Sequence, residues 1–289
     1  MVALALLENP DVRRWLNDVE PVWTMLDWHS FNALHDEPSV NNRAIRLEPD
    51  LTSTEVSGSA VASNASILLR RAAETNGLKL TATGNLSRAV VEEMQGVIEA
   101  PDYDKDELLR YSRVINEPDF LPLHFIRILS QVAKLCRKYR GKLILTPLGR
   151  RMVAAEQCGP LQALLFLAAF WRTNLAYFDR ISLDSWPQNQ MGIILWSLSA
   201  SAHDWLPREA LTRLCSRPVN DILESTWDFG SSAMEARILR PLVWFGVLEC
   251  RSEQKSANEL IARRLYRKTP LFDRLVKFDV KLEGSDIRH

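Results

Sequence analysis

Between residues 120 and 155 the chain carries eight cations, Arg127, Lys134, Arg137, Lys138, Arg140, Lys142, Arg150 and Arg151, and no carboxylate. Guanidinium and ammonium groups at this density hold phosphate oxygens, and arginine or glutamine on a helix reads base edges through paired hydrogen bonds. Arg127, Gln131, Lys134 and Lys138 step by four, three and four residues, as on one helical face, opposite a stripe of Phe125, Ile128, Leu129, Val132 and Leu135. The expectation is a helix whose polar face enters a major groove, with Arg140 and Lys142 reaching phosphates beside it. Arg263, Arg264, Arg267 and Lys268 form a second basic group further along. With Gln131, these cations are the candidate nucleic-acid-binding residues.

Groups that could do covalent or metal chemistry do not converge. His29 and His35 stand near Asp27, Asp36 and Glu37, but a separation of six residues puts two imidazoles on different faces of a helix. Cys136, beside Arg137 and Lys138, has cations that would lower a thiol pKa, although its place at a helix-to-strand junction points to the core. The four cysteines form no C-x-x-C, and the phosphate-loop, dinucleotide, zinc-protease and nucleophile-elbow motifs are absent. No catalytic residue, metal or cofactor is expected, and the chain is not expected to be an enzyme.

The elements that must position the cations can be read from the string CRKYRGKLILTPLGRRM. A helix over 121–135 leads into a strand over 137–140, Gly141 sits where a tight hairpin needs positive φ, and 142–145 return with Leu143 and Leu145 facing inward. Thr146 caps a new helix with Pro147 at its first position. Upstream, 66–75 predicts a helix capped by Asn64 or Ser66, 78–83 an extended piece, and 86–97 a helix begun by Asn85. The resulting order, helix, strand, helix, helix, two-stranded wing, is that of a winged helix.

The pattern recurs. Arg127-Ile128-Leu129 returns as Arg237-Ile238-Leu239, 110 residues on, and Thr146-Pro147-Leu148 as Thr269-Pro270-Leu271, 123 residues on. The second copy is thus 13 residues longer, and the excess is expected between Cys250 and Arg263, where a wing tolerates insertion. Four regions follow: an acidic helical leader and linker over 1–64; a first winged-helix module over 65–156 with an acidic insertion at 99–119, partly helical at 105–112; a central apolar helix and connector over 157–187, buried between both modules; and a second module with a longer wing over 188–289. The expected fold is mainly α (α+β), two winged-helix modules packed through the central helix.

Two strings in the first module, LTATGNL and LTPLGRRM, carry a family resemblance. The segment 66–153 resembles a bacterial family named after the third open reading frame of a Ri plasmid, whose function is not established. The resemblance implies a bacterial or mobile-element origin and a winged-helix-like fold, and it transfers no catalytic residue.

Composition bounds the rest. In 289 residues, 46% hydrophobic and 25% charged, 36 basic side chains meet 36 acidic ones, which excludes a disordered chain and argues against a protein coated in nucleic acid. The zero is a sum of unlike parts, because residues 1–60 hold ten acids against four arginines. The apolar run at 157–171 is too short to span a bilayer, no secretory signal is recognised, and a cytoplasmic location without membrane contact is expected. Double-stranded DNA is one expected partner, for a regulator or an accessory subunit of a bacterial mobile-element or defence system. The alternative is a protein-interaction platform that binds no nucleic acid, with the insertion or leader lying across the basic face. A turn of more than twenty residues between the two helices, seven of them acidic, favours that alternative.

Overall fold

The computed structural model describes residues 7–39, 41–101, 103–104, 110, 114–225, 227–253 and 263–284. It is a mixed α and β chain, with about 52% of the described residues helical and small antiparallel sheets. The chain divides into two compact units, one continuous (Pro49–Thr173) and one assembled from Met1–Glu48 and Asn174–His289.

The leader contributes α1 (Pro10–Leu16), α2 (Trp28–Ala33) and strand β1 (Ile45–Leu47). Asn9 and Asp27 cap the two helices through their side-chain oxygens. Val12, Leu16, Trp23, Phe31 and Leu34 are buried, so the leader is no free acidic arm.

The continuous unit holds α3 (Ala60–Glu74), β2 (Leu78–Lys79), α4 (Arg88–Gln95), α5 (Leu121–Val132), β3 (Cys136–Tyr139), β4 (Lys142–Leu145), α6 (Pro147–Ala154) and α7 (Cys158–Arg172). Most of this order was expected, with three differences. Helix α3 starts six residues early because Ser59, not Asn64 or Ser66, caps it: the Ser59 hydroxyl accepts from the Ala62 amide at 3.1 Å. Helix α4 begins after Ser87, while Asn85 stays in the preceding turn and its carbonyl accepts from the Thr81 amide. Arg140 belongs to the hairpin turn rather than to the strand, and Arg140 and Gly141 have φ of 46° and 73°, the paired positive values of a type I′ turn. The expected helix at 105–112 falls largely outside the described residues.

The sheet order is β2-β4-β3, all antiparallel. Thr146 caps α6 as its sequence requires, accepting from the Gly149 amide at 3.1 Å. Gly149 is obligatory there, because a Cβ would stand 2.2 Å from the Leu135 carbonyl oxygen. Helix α7 packs on α3 and α5 inside this unit, burying Leu165, Phe166, Ala169 and Phe170.

The discontinuous unit adds α8 (Met191–Ser201), β5 (Leu206–Pro207), α9 (Arg208–Cys215), α10 (Asn220–Leu223), α11 (Phe229–Met234), a π-turn at Glu235–Leu239, α12 (Arg240–Trp244), β6 (Leu248–Ser252), β7 (Arg264–Lys268), α13 (Pro270–Leu275) and β8 (Val276–Phe278). Its main sheet runs β5-β7-β6, the order of the first. Strand β1 pairs with β8, Arg46 opposite Lys277, so the leader closes this unit. Trp23 donates its indole N–H to the Ser216 carbonyl in the same core.

The two units repeat each other in detail. Thr146 and Thr269 each donate a backbone N–H at 3.0 Å to the residue before the first wing strand, Leu135 and Val247. Each hydroxyl donates at 2.7 Å to the residue before that, Lys134 and Gly246. Both of those residues are left-handed, at φ 57° and 72°. Lys134 therefore matches Gly246, 112 residues on. Two of the 13 extra residues lie before that point, between Leu239, which ends the π-turn, and Gly246, so the excess does not all fall in the wing as expected.

Candidate nucleic-acid interface

The basic helix is where expectation and structure part. None of the twelve residues of α5 is exposed: Leu121, Ile128, Gln131 and Val132 are half-buried and the rest buried. Arg127 is 6% exposed. Its Nε donates at 2.6 Å to Glu117, a carboxylate of the acidic insertion that is fully buried. Its Nη1 donates to the Gln131 amide oxygen at 2.6 Å. Glu117 also accepts from His124 at 2.6 Å and from the Leu86 amide, so one carboxylate ties the start of α4 to α5. Burial works against ionisation of Glu117, yet the hydrogen bonds from His124 and Leu86 and the Arg127 charge hold its carboxyl below the usual carboxylate range. A groove-reading helix needs a free polar face, and the two base-reading candidates, Arg127 and Gln131, are bonded to each other and to the fold. This corrects the expected exposure of that face.

The wing behaves differently. Lys134, Arg137, Lys138, Arg140, Lys142, Arg150 and Arg151 are all exposed, and none forms an ion pair among the described residues. The ladder register sorts them by face. Lys138 lies opposite Leu143 on the covered face, whereas Arg137 opposite Ile144 and Tyr139 opposite Lys142 share the outer face. Lys79 on β2 lies opposite Lys142, completing a row Lys79, Lys142, Tyr139 across three strands. Tyr139 is 44% exposed, with the guanidinium carbons of Arg137 and Arg140 each 5.1 Å from its ring centroid. Lys79 and Tyr139 were not singled out from sequence. The pairing that brings Lys79 into the row joins residues 63 positions apart through a two-residue strand, a signal too short to read.

The second basic group is neutralised within its own unit. Arg264 pairs with Glu235 at 2.9 Å, Arg267 with Glu249 at 2.7 Å, and Lys268 with Asp273 at 2.9 Å. Lys268 also donates to the Ser199 carbonyl at 2.9 Å. Arg251 and Arg267 stand 4.4 and 4.7 Å from the Trp205 ring centroid. Arg263 is exposed at the edge of the described wing.

The other reactive candidates are absorbed by structure. Burial pushes the Cys136 thiol up to about 12, which removes it as a nucleophile at neutral pH. The His35 Nδ1 lies 3.0 Å from the Phe31 carbonyl and its Nε2 3.1 Å from Arg217, while Asp27 caps α2. Among the described residues no group of three or more histidines, cysteines and carboxylates is placed to hold a metal ion. No helix among them is long and apolar enough to cross a membrane.

Comparison with known proteins touches the first unit. Residues 57–158 match the family model of the Y4jL N-terminal domain. A stretch of 86 residues is 33% identical to the uncharacterized protein y4jL of Sinorhizobium fredii (strain NBRC 101917 / NGR234), covering 29% of this chain and 39% of that one. The matched segment thus spans about two fifths of the relative's length. Both strings that carried the sequence resemblance lie inside the matched residues, whereas the Ri-plasmid family rests on that resemblance alone. No solved structure matches the chain.

Proposed function

We propose that both units are winged helices and that the chain is a non-catalytic, nucleic-acid-associated protein, a regulator or accessory subunit, which grips phosphates with its first wing. The winged-helix reading is supported by the shared strand order and by the matched threonine and left-handed positions of the two repeats. One observation carries the function: the exposed cations of the first wing have no acidic partner among the described residues, in a chain whose other basic cluster is largely paired. With α5 enclosed, binding is independent of base sequence. The setting in a bacterial mobile-element or defence system rests on the plasmid resemblance.

Fluorescence anisotropy with labelled DNA tests this. If about four phosphates are held, affinity falls on the order of a hundredfold between about 50 and 200 mM salt. The double substitution Arg140→Glu with Lys142→Glu weakens binding to every sequence alike and flattens the salt slope by about two. Salt-insensitive binding, or none at low ionic strength, overturns the proposal.

A second reading, protein docking, is favoured by the other unit. Trp227 is 76% and Phe229 46% exposed there; the Trp227 amide donates to the Ser225 hydroxyl, and Asp228 caps α11. Large exposed aromatics are the residue types that anchor protein interfaces.

A further inference from the structure

Phosphate binding explains the cations of the first wing but not the aromatic ring among them. Tyr139 is the last residue of β3, immediately before the turn at Arg140 and Gly141. It stands at one end of the row that continues through Lys142 to Lys79. Its ring is not spent on the core: it is 44% exposed, on the outer face of a sheet whose inner face carries Leu78, Leu143 and Leu145.

The lysine pair beside it is a local liability. Lys79 and Lys142 are directly opposite in the ladder, an arrangement in which like charges are destabilising, and no carboxylate among the described residues lies between them to relieve it. A bound anion at that position removes the repulsion. The spacing of adjacent strands, about 4.8 Å, then places an aromatic face one strand away from a pair of phosphate-binding ammonium groups. Arg137 and Arg140 flank the ring on flexible stems, able to leave it for phosphate oxygens.

From this juxtaposition we infer that the first wing binds single-stranded nucleic acid, stacking an unpaired base on Tyr139 while Lys79, Lys142, Arg137 and Arg140 hold the adjoining backbone. The inference deepens the phosphate-binding reading and rests on it. A duplex offers the same phosphates, but its base faces are closed by stacking on their neighbours, so Tyr139 adds affinity only where a base is unpaired. The enclosure of α5 removes the groove-reading route that would favour duplex.

The experiment uses the full chain and four fluorescent probes of one length: a thymidine single strand, a mixed-sequence single strand, its duplex, and an abasic single strand with the same phosphates. Wild-type protein binds both base-bearing single strands about tenfold more tightly than the duplex or the abasic strand. Tyr139→Ala lowers affinity for the base-bearing strands to the abasic level and leaves duplex binding unchanged, whereas Tyr139→Phe retains the preference. Because Tyr139 is half exposed, the Ala variant keeps the thermal transition of the wild type, which is measured alongside.

If Tyr139→Ala leaves the ratio of single-strand to duplex affinity unchanged while salt-dependent binding persists, the stacking inference is overturned and the phosphate-binding reading stands. Equal binding of abasic and base-bearing strands by wild-type protein overturns it in the same way. Absence of binding to all four probes overturns both.

Discussion

The two wings share one ladder and differ in almost every charge. Aligning their registers, with Cys136 opposite Leu145 matched to Leu248 opposite Lys268, sets Arg137 against Glu249, Tyr139 against Arg251, Lys142 against Leu265 and Lys79 against Pro207. The pair Arg137 and Ile144 in the first wing becomes Glu249 and Arg267 in the second, an ion pair closed across the strands. One wing pairs cations with its own carboxylates, and the other leaves them without a carboxylate partner among the described residues. A shared backbone therefore carries two electrostatic designs, and basic residues counted along a sequence do not by themselves mark a binding face.

The helices preceding the wings differ in how an arginine is enclosed. Arg127 meets the Glu117 carboxylate and a side-chain amide, whereas Arg237, 1% exposed, has Asp179 on two of its nitrogens at 2.7 and 3.0 Å. Arg237 also donates to the carbonyls of Ile181, Leu183, Asp184 and Trp186. Arg237→Ala takes the guanidinium away from a buried carboxylate and four carbonyl oxygens and costs about 3–5 kcal/mol in urea denaturation. Arg127→Ala orphans fewer groups and costs roughly 2–3 kcal/mol. Equal losses would show that the carbonyl cage around Arg237 adds nothing.

Acid is expected to weaken the Glu117 enclosure of Arg127 and, in the other unit, the contacts that Glu235 makes with Arg208, Arg264 and Tyr266. Burial opposes ionisation of Glu235 as it does of Glu117, but hydrogen bonding and charge from Arg208, with the Arg264 charge and the Tyr266 hydroxyl, hold it below the ordinary range. A carboxyl depressed in the fold contributes stability that is fully present above its unfolded pKa and is lost as pH falls through the folded value. Thermal transitions followed from neutral pH to about pH 3, below the ordinary glutamate pKa, should therefore fall, with a shallower dependence in Glu117→Gln. An unchanged dependence in that variant would assign the acid sensitivity to Glu235 and the second unit.

The smallest effect separates stability from binding. Lys79→Thr removes the like-charge pair with Lys142 and is expected to stabilise the first unit by about 0.2–1 kcal/mol while weakening its hold on nucleic acid. Loss of both together would mean that Lys79 serves the fold alone.

What sequence reveals here follows the range of the interactions. The hairpin around Gly141 and the Thr146-Pro147 cap are local, fixed by φ preferences and one side-chain bond, and they stand where their residues demand. The repeat was visible through the same local marks. Arg127 shares a face with Gln131 as its spacing requires, but the enclosure of that face depends on Glu117, ten residues back in a polar insertion with no hydrophobic period of its own. The spacing of Arg127 and Gln131 describes a helical face whether that face meets water or a buried carboxylate, and Lys134, expected to continue it, lies beyond the helix at a left-handed φ of 57°. The pairings of Lys79 and of the leader's strand were not legible for a related reason: β2 and β1 are two and three residues long, and each acquires meaning only from a distant partner.

The pairing of β1 with β8 has a consequence in time. The strand that completes the sheet of Ile45–Leu47, Val276–Phe278, is made about 230 residues after it. At bacterial and eukaryotic elongation rates of roughly 5–20 residues per second, that delay is on the order of 10–50 s. During that interval the continuous unit Pro49–Thr173 has its whole sequence available, whereas the leader must wait with Trp23 and Leu34 unburied. The nascent chain therefore passes through a stage with one half foldable and the other half exposing its apolar leader, the form in which a chaperone would meet it.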